Sequence, residues 1–130
     1  MWDSEPIPGE ATLLKRVHRH DIDDTGKPKP GAFRNTPSRE DGMSTDWAFY
    51  STASETRRRA RVPADNMVIS LNVDKVRAII GQTVQHTPVQ PDEQQQGNRS
   101  HTDVFGEKTT EARLKYMQIF AIELPLEAPT

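Results

Sequence analysis

MVISLNV, residues 67–73, alternates Met67, Ile69, Leu71 and Val73 with Val68, Ser70 and Asn72. A period of two with β-branched and apolar side chains predicts a strand. Asp74 then stands where a helix N-cap belongs, residues 75–80 follow as a short helix, and Gly81 closes it. Strand running straight into helix sets a mixed class, and the flanks extend it. On the N-terminal side, Thr52 and Glu55 have the spacing of a capping box, residues 53–60 favour helix, and Pro63 ends it. Arg57, Arg58, Arg59 and Arg61 make the exposed side of that helix basic.

Further out, residues 12–22 read as the first strand, after a lead-in over 1–11 that Pro6, Pro8 and Gly9 keep irregular. Residues 23–42 are a long polar loop, interrupted by a short extended piece at 32–34. On the C-terminal side, 82–88 is a short strand and 89–100 a second polar loop with a Gln triplet. A brief strand over 101–105 leads to Gly106, and 108–113 turns as helix with Thr109 or Thr110 as cap. The segment 114–124 alternates as a strand, with Tyr116, Phe120, Ile122 and Leu124 on one side. Helix competes there, because Ala112, Tyr116 and Ile119 also fit a 3.6-residue period. The order strand, loop, helix, strand, helix, strand, loop, strand, helix, strand predicts an α+β fold. Its sheet is small, bent and mostly antiparallel, with two or three short helices and long polar loops. One domain over 12–124 and a tail over 125–130 are expected.

Composition narrows the function classes. At 130 residues with 33% hydrophobic and 28% charged, the chain builds a thin core wrapped in polar loops. A net charge of −2 supplies no global field toward nucleic acid or anionic membrane. With no cysteine, disulfides, thiolate nucleophiles and Cys-ligated zinc are excluded. The acidic opening MWDSEPIPGE is not a signal peptide, and no stretch approaches the roughly 18 apolar residues of a membrane span. A soluble, cytoplasmic protein without membrane attachment is the expectation.

Three polar blocks carry the candidate chemistry. In Arg16-Val17-His18-Arg19-His20, a strand puts Arg16, His18 and His20 on one face. Guanidinium forks match phosphate oxygens, so this face suits an anion or nucleotide phosphate; a solvated edge strand, neutralised by Asp21, Asp23 and Asp24, is the alternative. His18 and His20, with His86 or His101, also invite a metal, but no carboxylate or Cys partner at ligand spacing accompanies them, and no metal is assigned. The second block, Asp41-Gly42-Met43-Ser44-Thr45-Asp46-Trp47, is followed by Tyr50. A strand serine beside Trp47 and Tyr50 suits an aromatic ligand such as nicotinamide or a base, while core packing is the weightier account of the aromatics, which a small core needs. Ser44 lacks the glycine-flanked elbow of a hydrolase nucleophile, and the sequence assigns it no base. The third block, residues 98–108, offers Arg99, His101 and Glu107. His101 titrates near neutrality, and Glu107 suits a general base or a ribose contact, or else a solvated turn residue with Lys108 after Gly106. The Arg57–Arg61 cluster could hold phosphates or RNA, but the acidic balance and missing stacking stripe disfavour nucleic acid.

The R-V-H-R start, the D-G-M-S-x-D-W-x-x-Y middle and the N-R-x-H-T-x-V-x-G-E-K end resemble a group of small uncharacterised bacterial proteins, over most of the stretch from Leu13 to Tyr116. More distantly, the arrangement is similar to ADP-ribosyltransferase-like domains, including the RES-type toxins that consume NAD. That likeness implies an Arg or His on the first core strand, a Ser or Tyr before a helix, and an acidic or polar residue late in the chain. Arg16 or His18, Ser44 with Tyr50, and Glu107 would fill these three stations. It implies NAD as ligand: Arg16 and His18 on the pyrophosphate or ribose, Ser44 on the nicotinamide amide, Trp47 or Tyr50 stacked on its ring, Glu107 steadying the ribose. The chain lacks the Ser-Thr-Ser run and the E-x-E pair of those domains. Two other readings stand beside it. One is a non-enzymatic module with a protein partner, touched through the loops and Trp47; the other is an RNA-processing protein using His18, His20 and His101.

Overall fold

The most extensive contacts between elements are those of antiparallel strands. The computed structural model describes residues 1–39 and 42–127, so Asp41, first of its block, Glu40 and the last three residues of the expected tail lie outside the described residues. Strands β1 (Thr12–His18), β2 (Gly42–Trp47), β3 (Asn66–Asn72), β4 (Thr83–His86), β5 (His101–Phe105) and β6 (Ala121–Leu124) form one sheet in the order β4-β5-β2-β1-β3-β6. Every pairing between them is antiparallel. Helices α1 (Ala53–Arg58), α2 (Val73–Arg77) and α3 (Thr110–Ile119) complete an α+β fold, with short 3-10 turns between elements. Among the described residues no helix is long and apolar enough to cross a membrane.

The period of two sorts each strand into a core face and a second face. Leu13 and Val17 of β1, Met43 and Trp47 of β2, Met67, Ile69 and Leu71 of β3, and Val104 of β5 are buried together. Val73, Val76 and Ile79 around α2, Ala112 and Tyr116 of α3, and Phe33 of the long loop pack against them. Phe33 stacks on Tyr116 with ring centroids 5.1 Å apart. Helix α1 lies on the opposite face, where the Thr56 hydroxyl donates to Asp46 and its carbonyl accepts from Arg16.

Local chemistry explains where the elements begin and end. The capping box of α1 forms as the sequence predicts: the Thr52 side chain accepts from the Glu55 N–H, and Glu55 returns the bond. Strand β1 stops at His18, short of 22, because His18 Nδ1 accepts from the His20 N–H and bends the chain into a 3-10 turn. Asn72, not Asp74, caps α2, accepting from the Lys75 N–H at 3.0 Å. The ambiguous closing segment divides. Capped by Thr109, α3 runs to Ile119 with Ala112 and Tyr116 one turn apart and buried, and only then does β6 begin. In the segment expected to be extended at 32–34, Ala32 instead closes a 3-10 turn that begins at Pro30, and Phe33 caps it. Strand β2, at the centre of the sheet, has no place in the element order read from the sequence, although Ser44 was expected to be in a strand.

One irregularity positions the candidate site. Strand β1 pairs with β3 along all of its length, from Thr12↔Asn72 to His18↔Asn66. With β2 it pairs only at Leu13↔Trp47 and Leu14↔Asp46. Beyond Leu14 the two strands part. The long loop lines β2 there: the Thr36 N–H donates to the Gly42 carbonyl at 2.8 Å, and Thr36 Oγ1 accepts from the Ser44 N–H at 3.1 Å.

Candidate functional site

A cleft of about 710 Å³ opens where β1 and β2 part. Lys15, Arg16 and His18 reach it from β1, Ser44 and Asp46 from β2, and His101 from the start of β5. Arg34 and Arg39 enter from the long loop, Arg59 from just past α1, and Asn98 from the second loop. Five cations, Lys15, Arg16, Arg34, Arg39 and Arg59, therefore meet two carboxylates, Asp21 and Asp46, along its walls.

Most of these charges are already engaged. Asp46 is 5% exposed and accepts from Thr56 Oγ1 at 2.8 Å, Arg59 Nη1 at 3.0 Å and Asn98 Nδ2 at 2.8 Å. Three donors on a buried carboxylate make it a structural anchor rather than a free base. Asp21 accepts from Arg34 at 2.9 Å. Arg39 pairs with Asp103, whose side chain is 2% exposed, at 2.6 Å. Arg16 differs. Its Nη1 donates to the Thr56 carbonyl at 3.0 Å, and among the described residues no carboxylate lies within ion-pair distance of it. Burial lowers its pKa, the negative charge of Asp46 opposes that, and Arg59 adds to it. The neighbouring Lys15 is pushed down to about 8, first by burial and then by Arg34 and Arg16. A cation held partly out of water gains most from an anion placed beside it.

His101 stands at the β5 wall, 9% exposed. Its Nδ1 lies 3.0 Å from the Thr87 carbonyl and its Nε2 3.2 Å from Ser44 Oγ. Burial pulls its pKa below the ordinary histidine value; Asp103 opposes this, and Arg39 reinforces it. A neutral imidazole at pH 7 follows.

Of the residues singled out from sequence, Arg16, His18, Ser44 and His101 share this cleft. The others stand elsewhere. His20 is exposed in the turn after β1, its ring 4.5 Å from that of His18. Trp47 is 6% exposed in the core, edge-on to Tyr50 and His86. Tyr50 donates to Glu5 and lies under the guanidinium of Arg99, 4.2 Å from its ring centre. Glu107 is exposed beyond β5, where its carbonyl accepts from Gln82. The turn it belongs to is tight: Gly106 has φ +121°, and a Cβ there would sit 2.0 Å from the Gly81 carbonyl oxygen. Lys108, read as a solvated alternative, is instead 6% exposed and donates to the Val104 and Gly106 carbonyls and to Asn35. His86 has both ring nitrogens engaged by the Glu5 N–H and the Arg99 carbonyl. Among the described residues no three His, Cys, Asp or Glu side chains are grouped to hold a metal ion.

The arginine cluster is only in part a solvated face. Arg57 turns to the Pro125 carbonyl and Glu127, Arg59 turns to Asp46, and Arg58 and Arg61 remain exposed. The sequence assigns no role to Asp46, Arg39 or Asp103, and it offers Arg59 only as one of a basic cluster. Only the aspartate inside D-G-M-S-x-D-W, polar amid a strand, carried a signal of Asp46. Comparison of the chain with protein-family models, with curated proteins and with solved structures gives no match.

Proposed function

We propose that the chain is an ADP-ribosyltransferase-like nucleotide-binding protein whose cleft takes the phosphates of NAD or a related nucleotide. The observation that carries this reading is Arg16: a half-buried guanidinium without an ion-pair partner among the described residues, facing a cleft where cations outnumber carboxylates. Phosphate oxygens supply the bidentate acceptor that such a fork matches. The likeness adds support, because its first two stations, Arg16 on β1 and Ser44 on β2, open on one cleft. The late polar residue that meets Ser44 is His101, and Glu107 does not line the cleft. Oxocarbenium stabilisation by a free carboxylate therefore forms no part of the proposal. Nor does ring stacking by Trp47, which is in the core.

Calorimetric titration of NAD and of ADP into the protein tests the reading. Binding of at least one is expected, and Arg16→Ala should weaken it by about 10- to 100-fold, the worth of a lost charge-assisted hydrogen bond. Absence of heat with both nucleotides, or equal affinity in the variant, rejects it.

A further inference from the structure

A chain of hydrogen bonds along the β5 wall fixes which way its protons point. Arg39 Nη2 donates to Asp103 Oδ2 at 2.6 Å, so Asp103 is a carboxylate, and a carboxylate only accepts. The Thr87 hydroxyl, 2.8 Å from the same oxygen, must donate to it. With its one proton committed, Thr87 Oγ1 can only accept from His101 Nδ1, 3.1 Å away. The Thr87 carbonyl, 3.0 Å from that nitrogen, can also only accept. Both contacts place the imidazole proton on Nδ1. Nε2 then turns its lone pair toward Ser44 Oγ at 3.2 Å, and Ser44 is partly exposed along the cleft. The sequence offered Ser44 no base; the fold does.

We propose that Ser44 and His101 form a nucleophile–base pair that acts on a phosphorus centre of the ligand held in the cleft. The substrate class rests on the nucleotide reading, whereas the pair rests on the bonds above. Ser44 Oγ attacks phosphorus and gives its proton to His101 Nε2. The bridging P–O bond breaks, and its electron pair leaves on the oxygen of the departing phosphate. His101 releases its proton to the departing phosphate and then takes one from the water that attacks the resulting phosphoserine ester; the P–Oγ bond breaks, and His101 returns the proton to the Ser44 oxygen. Arg39, Asp103 and Thr87 are positioning residues: they hold the tautomer, and the Asp103 charge favours the imidazolium that forms. Arg16, on the same cleft, faces the charge that builds on the non-bridging oxygens.

Diisopropyl fluorophosphate, an electrophilic phosphorus probe, tests the pair in the full chain. Attack forms the Oγ–P bond, breaks the P–F bond and releases fluoride. Peptide mass spectrometry should place the diisopropylphosphoryl group on Ser44, and Ser44→Ala should abolish the label. His101→Gln should slow labelling by about 100-fold or more. Thr87→Val, which keeps shape and removes the hydroxyl, should leave the circular dichroism unchanged and shift the pH at which labelling inflects. No label on Ser44 overturns the proposal, as does an unchanged labelling rate in His101→Gln or an unchanged pH of inflection in Thr87→Val. Ser44 labelling without ADP or NAD binding retires the nucleotide reading and keeps the pair. Nucleotide binding without the label does the reverse.

Discussion

Lys15 occupies half-buried space on β1 beside Arg16 and across from Arg34, and its ammonium is pushed down to about 8. The unfolded chain, with an ordinary lysine value, holds that proton more tightly. Stability from the shift is therefore fully present above about 10.5 and lost as pH falls through about 8. At neutral pH the charge is kept at a cost to the fold. Lys15→Met should raise stability at pH 7 by about 1–3 kcal/mol in urea denaturation while weakening nucleotide binding; a less stable variant would contradict this. His101 carries the same sign at lower pH. Its folded pKa lies below the unfolded one, so its contribution is present above about 6.5 and lost as pH falls through the depressed value. Between pH 7 and pH 5 the Tm of His101→Gln should fall less steeply than that of the unaltered chain. Arg16, Ser44 and His101 were legible as polar residues at strand spacing in an otherwise thin core. The hub at Asp46 was not, since its donors Arg59 and Asn98 lie 13 and 52 residues away in sequence.

Helix α1 couples local propensity to the cleft. Its capping box fixes the first turn, and that turn leads to Thr56, which holds Asp46 through its hydroxyl and Arg16 through its carbonyl. Thr52→Ala should cost about 1 kcal/mol of stability by denaturant titration. It should also weaken nucleotide binding, because Arg16 loses its fixed acceptor; unaltered affinity would uncouple the helix from the site. Elements whose signal is local, such as the capping box, β3 and β5, could be read directly. His101–Phe105 has the bounds expected of it. Strand β2 escaped the element order because its place comes from pairing with β5, from Gly42↔Phe105 to Asp46↔His101, across a long stretch of chain. The closing segment was ambiguous for a different reason. Tyr116 serves either period until the core beside Phe33 claims it for a helix.

At the scale of the whole molecule, the parting of β1 from β2 creates the cleft. A sheet paired throughout would bring Arg16 and Ser44 onto neighbouring strands with no space between them; here two residue pairs join the strands and then they diverge. No pattern within either strand encodes that divergence. It depends on the long loop, whose Thr36 takes the β2 edge, and a stretch rich in Pro, Gly and Lys gave no sign of it. The α+β class, by contrast, followed from alternation and caps alone. An anionic nucleotide in this gap is detected by titrating ADP into ¹⁵N-labelled protein. Amide resonances of Arg16, Ser44 and His101 should shift together along one saturating curve. Shifts confined to the second groove, which Ile79, Ala112 and Ile119 line between α2 and α3, or no shifts at all, would leave this gap without a nucleotide.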